Sequence, residues 1–160
     1  MKKYLKIALI LALGALVGAA GVLILMDYWF DSHNKAQALV HIVAELKEAN
    51  KQYKEADPKV AIYAMERTLA VIEFYRDRGL YRPHGLNRNW EIALIHARIA
   101  RMYRKDGDLE SASKRFQMAI ELFSSDGWKL KDVDELNKAV DLIDEGRMLE
   151  AFRKYGKHRE

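Results

Sequence analysis

Residues 93–126 read ALIHARIARMYRKDGDLESASKRFQMAIELFSSD, and the fold follows from how this stretch is parsed. Ala93, Ala97, Ile99, Ala100 and Tyr103 recur at helical spacing, so small residues and one aromatic share a face that a second helix can approach closely. Asp106-Gly107-Asp108 then breaks the pattern. Glycine tolerates the left-handed conformation that ends a helix, and an aspartate can cap the free N–H groups of the next. From Leu109 to Phe123 a second stripe follows, formed by Ala112, Phe116, Ala119 and Ile120. Two amphipathic helices joined by so short a turn must pack antiparallel.

The frame His96-x2-Ile99-Ala100-x2-Tyr103, Gly107, Ala112-x3-Phe116, Ala119 resembles the tetratricopeptide repeat (TPR), whose pattern is W-x2-L-G-x2-Y, then A-x3-F, then P. His96 stands where that family favours a large aromatic, Ala100 replaces a glycine and Ser124 replaces the closing proline. None of these removes the packing logic, which in this frame rests on Ala100, Tyr103, Gly107, Ala112, Phe116 and Ala119. A generic helical hairpin in a small bundle is the other reading of the same residues. The resemblance implies an all-α repeat domain that binds protein, with the first helix of each unit lining a groove. Carried onto this chain, it assigns Leu94, Arg98, Arg101, Arg104 and Lys105 to that lining, suited to an acidic peptide or a free carboxylate. Alternatively these charges pair with acidic residues of a third unit, such as Asp134 or Glu135.

Around this unit the chain has 160 residues, 27 of them Lys or Arg and 23 Asp or Glu. Lys2, Lys3 and Lys6 precede the first apolar run and every acidic residue follows Met26, so the remainder is close to neutral and carries no nucleic-acid footprint. The absence of cysteine excludes disulfides, a thiolate nucleophile and thiolate zinc sites.

After a short basic start (1–6), Ile7 to Met26 is twenty residues without a charged or strongly polar side chain. A helix of that length spans about 30 Å, the thickness of a bilayer's hydrocarbon core. Tyr28, Trp29 and Phe30 follow, where aromatic rings favour the headgroup region, so 7–30 is predicted to be a transmembrane helix with its interfacial belt. A cleaved signal peptide competes, since Gly18-Ala19-Ala20-Gly21 offers small residues of the cleavage type. The lysines before the span place Met1 in the cytoplasm and the domain outside it, periplasmic in a bacterium whose inner membrane held the chain. Gly14-x3-Gly18 has the spacing of close helix pairing and points to a homodimer, or to glycine's ordinary frequency in such helices.

The domain is expected over 31–160, with hairpins at roughly 35–78, 90–124 and 132–155, three being the usual minimum for such repeats. Nothing between Val22 and Asp57 obliges the membrane helix to stop, although a break near Ser32 to Asn34 would also suit the sequence. Asp57-Pro58 offers an N-cap and a first-turn proline for a helix apolar around most of its circumference, expected at the domain centre. Between Gly79 and Asn89 the chain is irregular. Arg76, Arg78, Arg82 and Arg88 gather there as a site for phosphate, lipid headgroup or acidic partner, or as a solvated loop. Trp128 is expected to fill the space between hairpins, and Asp132-x2-Glu135 reads as a capping box.

No catalytic arrangement, cofactor motif or metal-ligand spacing is present. His41 and Glu45, four apart on one helix, lack a second histidine at ligand spacing, and His96 reads as a core-edge residue. The expectation is a non-enzymatic, membrane-anchored scaffold or adaptor docking a protein of an envelope complex. A membrane-proximal module binding anionic lipid through the arginine-rich loop is the alternative.

Overall fold

A computed structural model describes residues 2–80 and 89–156, with side chains at Gly18 and from Gly21 onward. The described residues form six α-helices and no strand: α1 (Lys2–Glu55), α2 (Pro58–Asp77), α3 (Asn89–Asp106), α4 (Leu109–Ser125), α5 (Val133–Asp144) and α6 (Met148–Tyr155). The chain is therefore all-α, and it divides into two units, Met1–Val40 and His41–Glu160.

The first unit consists of α1 alone up to Val40, with no break at Ser32–Asn34. Contacts within it are those of one helix: Lys35 pairs with Asp31, Gln37 bonds His33 at 2.9 Å, and the Trp29 and His33 rings stack 5.3 Å apart. All three join residues four apart, which a helix sets one above the other. Among the described residues no helix is long and apolar enough to cross a membrane. Side chains at 7–17, 19 and 20 lie outside the described residues, and most of the expected span over 7–26 with them.

In the second unit each turn is fixed by the chemistry of its own residues. Asp57 accepts from the Lys59 N–H at 3.0 Å and Pro58 opens α2. At the α3–α4 turn Gly107 takes φ +90°, which allows Asp108 N–H to reach the Tyr103 carbonyl at 2.9 Å, while the Asp108 carboxylate accepts from Ser111 N–H at 2.9 Å. Gly146 closes α5 the same way, Arg147 N–H meeting the Leu142 carbonyl at 2.8 Å. Asp132 and Glu135 cap the start of α5 together, Asp132 accepting from Glu135 N–H at 2.8 Å and Glu135 from Lys131 N–H at 2.9 Å.

Two apolar clusters meet on α3. Ile95, Ile99 and Met102 of α3 join Ala61, Met65, Leu69 and Ile72 of α2 and Ile42 and Ala49 of α1. Its other face, Ala93, Ala97 and Ala100, joins Ala112, Phe116, Ala119 and Phe123 of α4, Leu136 and Val140 of α5, and Ala151 and Tyr155 of α6. The domain centre is thus α3, not α2 as the apolar circumference of α2 suggests. On α2 the apolar residues Val60, Tyr63 and Phe74 remain exposed, although both α1 and α3 pack against this helix. The alanines of α3 let α4 pack tightly against it. Trp128 is buried between Phe123 and Phe152, with ring centroids 4.7 and 4.8 Å away, and fills the junction of α4 with α6.

Candidate functional site

One side of α3 carries the arginines. Arg98 and Arg101 are three residues apart, on the side of α3 that meets α5 and α1, and both lie mostly out of solvent. Arg98 pairs with Asp144 of α5, donating to it through Nε at 3.1 Å, and also bonds the Asn50 side chain of α1. From Arg101, Nε donates to the Asn137 side chain at 2.8 Å and Nη2 to the Asn137 carbonyl at 2.6 Å. Its remaining contacts are Asp141 at 2.9 Å, Asp144 at 3.7 Å and the Tyr53 hydroxyl at 3.4 Å. Burial pushes the Tyr53 hydroxyl above its ordinary pKa, against the downward pull of the Arg101 guanidinium.

This cluster takes residues from the first helix of all three hairpins. It joins two guanidinium groups to two carboxylates, so the face has little charge left for an incoming carboxylate to answer. On the alternative reading of these arginines their partners are acidic residues of the third unit, such as Asp134 or Glu135. They are instead Asp141 and Asp144, because Arg98 and Arg101 lie beside the middle and end of α5 whereas Asp134 and Glu135 sit in its first turn. Glu135 caps the helix and Asp134 faces solvent. Leu94 does not line a groove: it is buried in the core shared with α4 and α5. Only Arg104 and Lys105 of the five remain exposed, with the Arg104 guanidinium 4.8 Å from the centre of the Phe116 ring. Asn50, Tyr53, Asn137, Asp141 and Asp144 escaped the sequence reading, since polar residues on a helix surface read as solvated until the neighbouring helix is placed.

A second polar chain crosses α2, α3 and α4. Glu66 pairs with Arg115, and Arg115 donates to His96 Nδ1 at 3.0 Å. Burial, helped by the Arg115 charge, lowers the His96 pKa to about 4, so the ring is neutral and accepts the arginine's hydrogen bond. His41 and Glu45 are 3.6 Å apart, but each has another partner: His41 bonds the Tyr75 hydroxyl at 2.9 Å and Glu45 pairs with Arg67 at 2.7 Å.

Of the loop arginines, Arg82 and Arg88 lie outside the described residues. Arg78 folds back over the Phe74 ring at 3.5 Å and bonds the Phe74 carbonyl at 3.3 Å, and Arg76 lies 3.9 Å from Asp77. In the first unit Gly18 is exposed with no atom near the position of an added Cβ, and the side of α1 at Gly14 is outside the described residues. Compared with protein-family models, with curated proteins and with solved structures, the chain gives no match.

Proposed function

We propose that the chain is a single-pass, membrane-anchored interaction module: a span near the N-terminus holds a TPR-like helical domain that docks a protein partner at the extracytoplasmic face. The observation carrying the anchor is the state of Val22, Leu23, Ile24 and Leu25, which are 56–70% exposed around the whole circumference of one helix. Four consecutive aliphatic side chains with no protein cover need a medium that is itself apolar, and the uncharged sequence back to Ile7 supplies the length for a bilayer. Tyr28, Trp29 and Phe30, also exposed, fall where rings favour the headgroup layer. Lys2, Lys3 and Lys6 keep the N-terminus cytoplasmic.

Docking is assigned to the end of α3, at Arg104 and Lys105, because Arg98 and Arg101 are already held within the fold. An acidic segment of a membrane-complex subunit is the partner chemistry that two exposed cations on one helical turn would answer. The reading is of a binding protein without catalysis or cofactor.

The test takes the full chain in native membranes. Alkaline carbonate should leave it in the pellet, and protease should degrade the domain only from the extracytoplasmic side. Chemical crosslinking with partner identification should give an adduct that Arg104→Glu with Lys105→Glu abolishes. Release by carbonate would remove the anchor, and adducts indifferent to both substitutions would remove the docking surface.

A further inference from the structure

The level at which α1 enters the second unit is fixed by its pairings with α3. Arg98 bonds Asn50 and Arg101 bonds the Tyr53 hydroxyl, each across 48 residues, so the two helices run parallel in that register. The same offset sets His41, the first residue of the unit, level with Asn89, the first of α3. Other helix ends meet there. His41 bonds Tyr75 near the end of α2 at 2.9 Å, Asn89 bonds Ser125 at the end of α4 at 3.1 Å, and Trp90 N–H donates to Asp126 at 2.6 Å.

Four cations gather at this end through one non-local bond. Lys129 N–H donates to the Tyr155 carbonyl at 2.7 Å, which brings the α4–α5 connection against the last turn of α6. Lys129 and Lys131 flank buried Leu130 in that connection, Arg153 and Lys154 precede buried Tyr155 in that turn, and all four are exposed. Among the described residues none of their side chains has an ion pair or hydrogen bond; the Lys154 ammonium lies 5.2 Å from the centre of the Tyr155 ring. Of the nearby carboxylates, Asp126, Asp132 and Glu135 are each held by a backbone N–H, and Asp134 is exposed.

We propose that Lys129, Lys131, Arg153 and Lys154 rest on the phosphate groups of an anionic membrane leaflet. The inference rests on the anchor proposed above and adds a peripheral contact to it. Ten residues separate Phe30 from His41, a connection that spans at most about 40 Å fully extended, so the bilayer surface is the anionic partner held permanently within reach of this end. Tethering raises the effective concentration of lipid phosphate at the patch, and cations that bind weakly one by one then act together. Arg104 and Lys105, at the other end of α3, stay open to a protein.

The chain has no cysteine, so a fluorophore on Ser124→Cys, an exposed position at the end of α4, reports this end alone. In nanodiscs holding the full chain, a nitroxide on the lipid headgroups should quench it several-fold more when one third of the lipid is phosphatidylglycerol than when all is phosphatidylcholine. The excess should vanish in 0.5 M sodium chloride and in the variant combining Lys129→Gln, Lys131→Gln, Arg153→Gln and Lys154→Gln. Neutralising Lys51, Lys54 and Lys59 at the opposite end should leave it intact. Equal quenching in the two lipids, or quenching indifferent to the four substitutions, would overturn the proposal. So would relief by inorganic phosphate beyond that of chloride at equal ionic strength, which assigns the patch to a free anion, or binding of polyglutamate through the four cations without lipid quenching, which assigns it to protein. A chain that leaves the nanodisc on gel filtration loses its anchor. Flotation of that chain with anionic vesicles then tests the patch by itself: binding abolished by the four substitutions supports it, and no binding overturns it.

Discussion

Arg101 clasps Asn137 at two points, donating through Nε to its side chain at 2.8 Å and through Nη2 to its backbone carbonyl at 2.6 Å. The second bond catches a carbonyl inside α5, and the same guanidinium meets Asp141 and Asp144 one and two turns further on. A planar fork with five donors suits this combination, which the single ammonium of a lysine does not.

Arg101→Met should therefore destabilise the domain by about 3–5 kcal/mol, the range for removing one partner from a largely buried charge cluster. Arg101→Lys should recover only part of this. Urea midpoints of the two variants and the parent protein check it, and a loss below about 1 kcal/mol for the methionine variant would show the cluster to be a surface contact.

Phe116 and Leu109 sit seven residues apart on α4 with opposite environments, 2% and 68% exposed. Phe116→Ala should cost about 3–5 kcal/mol through the cavity it leaves between α3 and α4. Leu109→Ala should stay within about 0.5 kcal/mol of the parent. Thermal unfolding of both variants tests the placement of the α3–α4 seam, which the reverse order would refute.

His96 titrates at about 4 in the folded protein against about 6.5 unfolded. Because the folded state binds the proton less readily, its contribution is complete above pH 6.5 and is lost as pH falls toward 4, by at most about 3 kcal/mol. Glu66 and Arg115 face the ring, so the comparison that isolates it is His96→Gln, which keeps an acceptor for Arg115 but does not titrate. The difference in unfolding free energy between the parent and this variant should change in the parent's disfavour between pH 7 and pH 4.5. A constant difference would show that His96 is protonated normally in the fold.

Gly107 adopts φ +90° with open space where a Cβ would be. Gly107→Ala should cost about 1 kcal/mol or more from backbone strain alone, without any clash. A neutral substitution, measured by denaturant unfolding, would mean that the turn relaxes into another closure.

Much of this architecture was legible in the order of residues. The turns at Asp57-Pro58, Gly107-Asp108 and Asp132-x2-Glu135 depend on interactions within a few residues, and the structure realises them with the expected caps. The stripe of Ala112, Phe116 and Ala119 is buried because a helix carries its own periodicity wherever it is placed. The arginine face was legible only as charge. Arg98, Arg101, Arg104 and Lys105 look equivalent in a list, yet the first two are held by α5 and α1 and the last two are open.

What the sequence by itself determined is therefore local: six helical segments, the caps of α2, α4 and α5 and the apolar side of most of them, all set by backbone sterics and by contacts within a few residues. Tertiary structure alone decided that α3 rather than α2 is central, that Leu94 is core, and that Asp141 and Asp144 answer the arginines. Those outcomes depend on which helices become neighbours and at what relative height, a relation between residues some forty positions apart that no local period encodes.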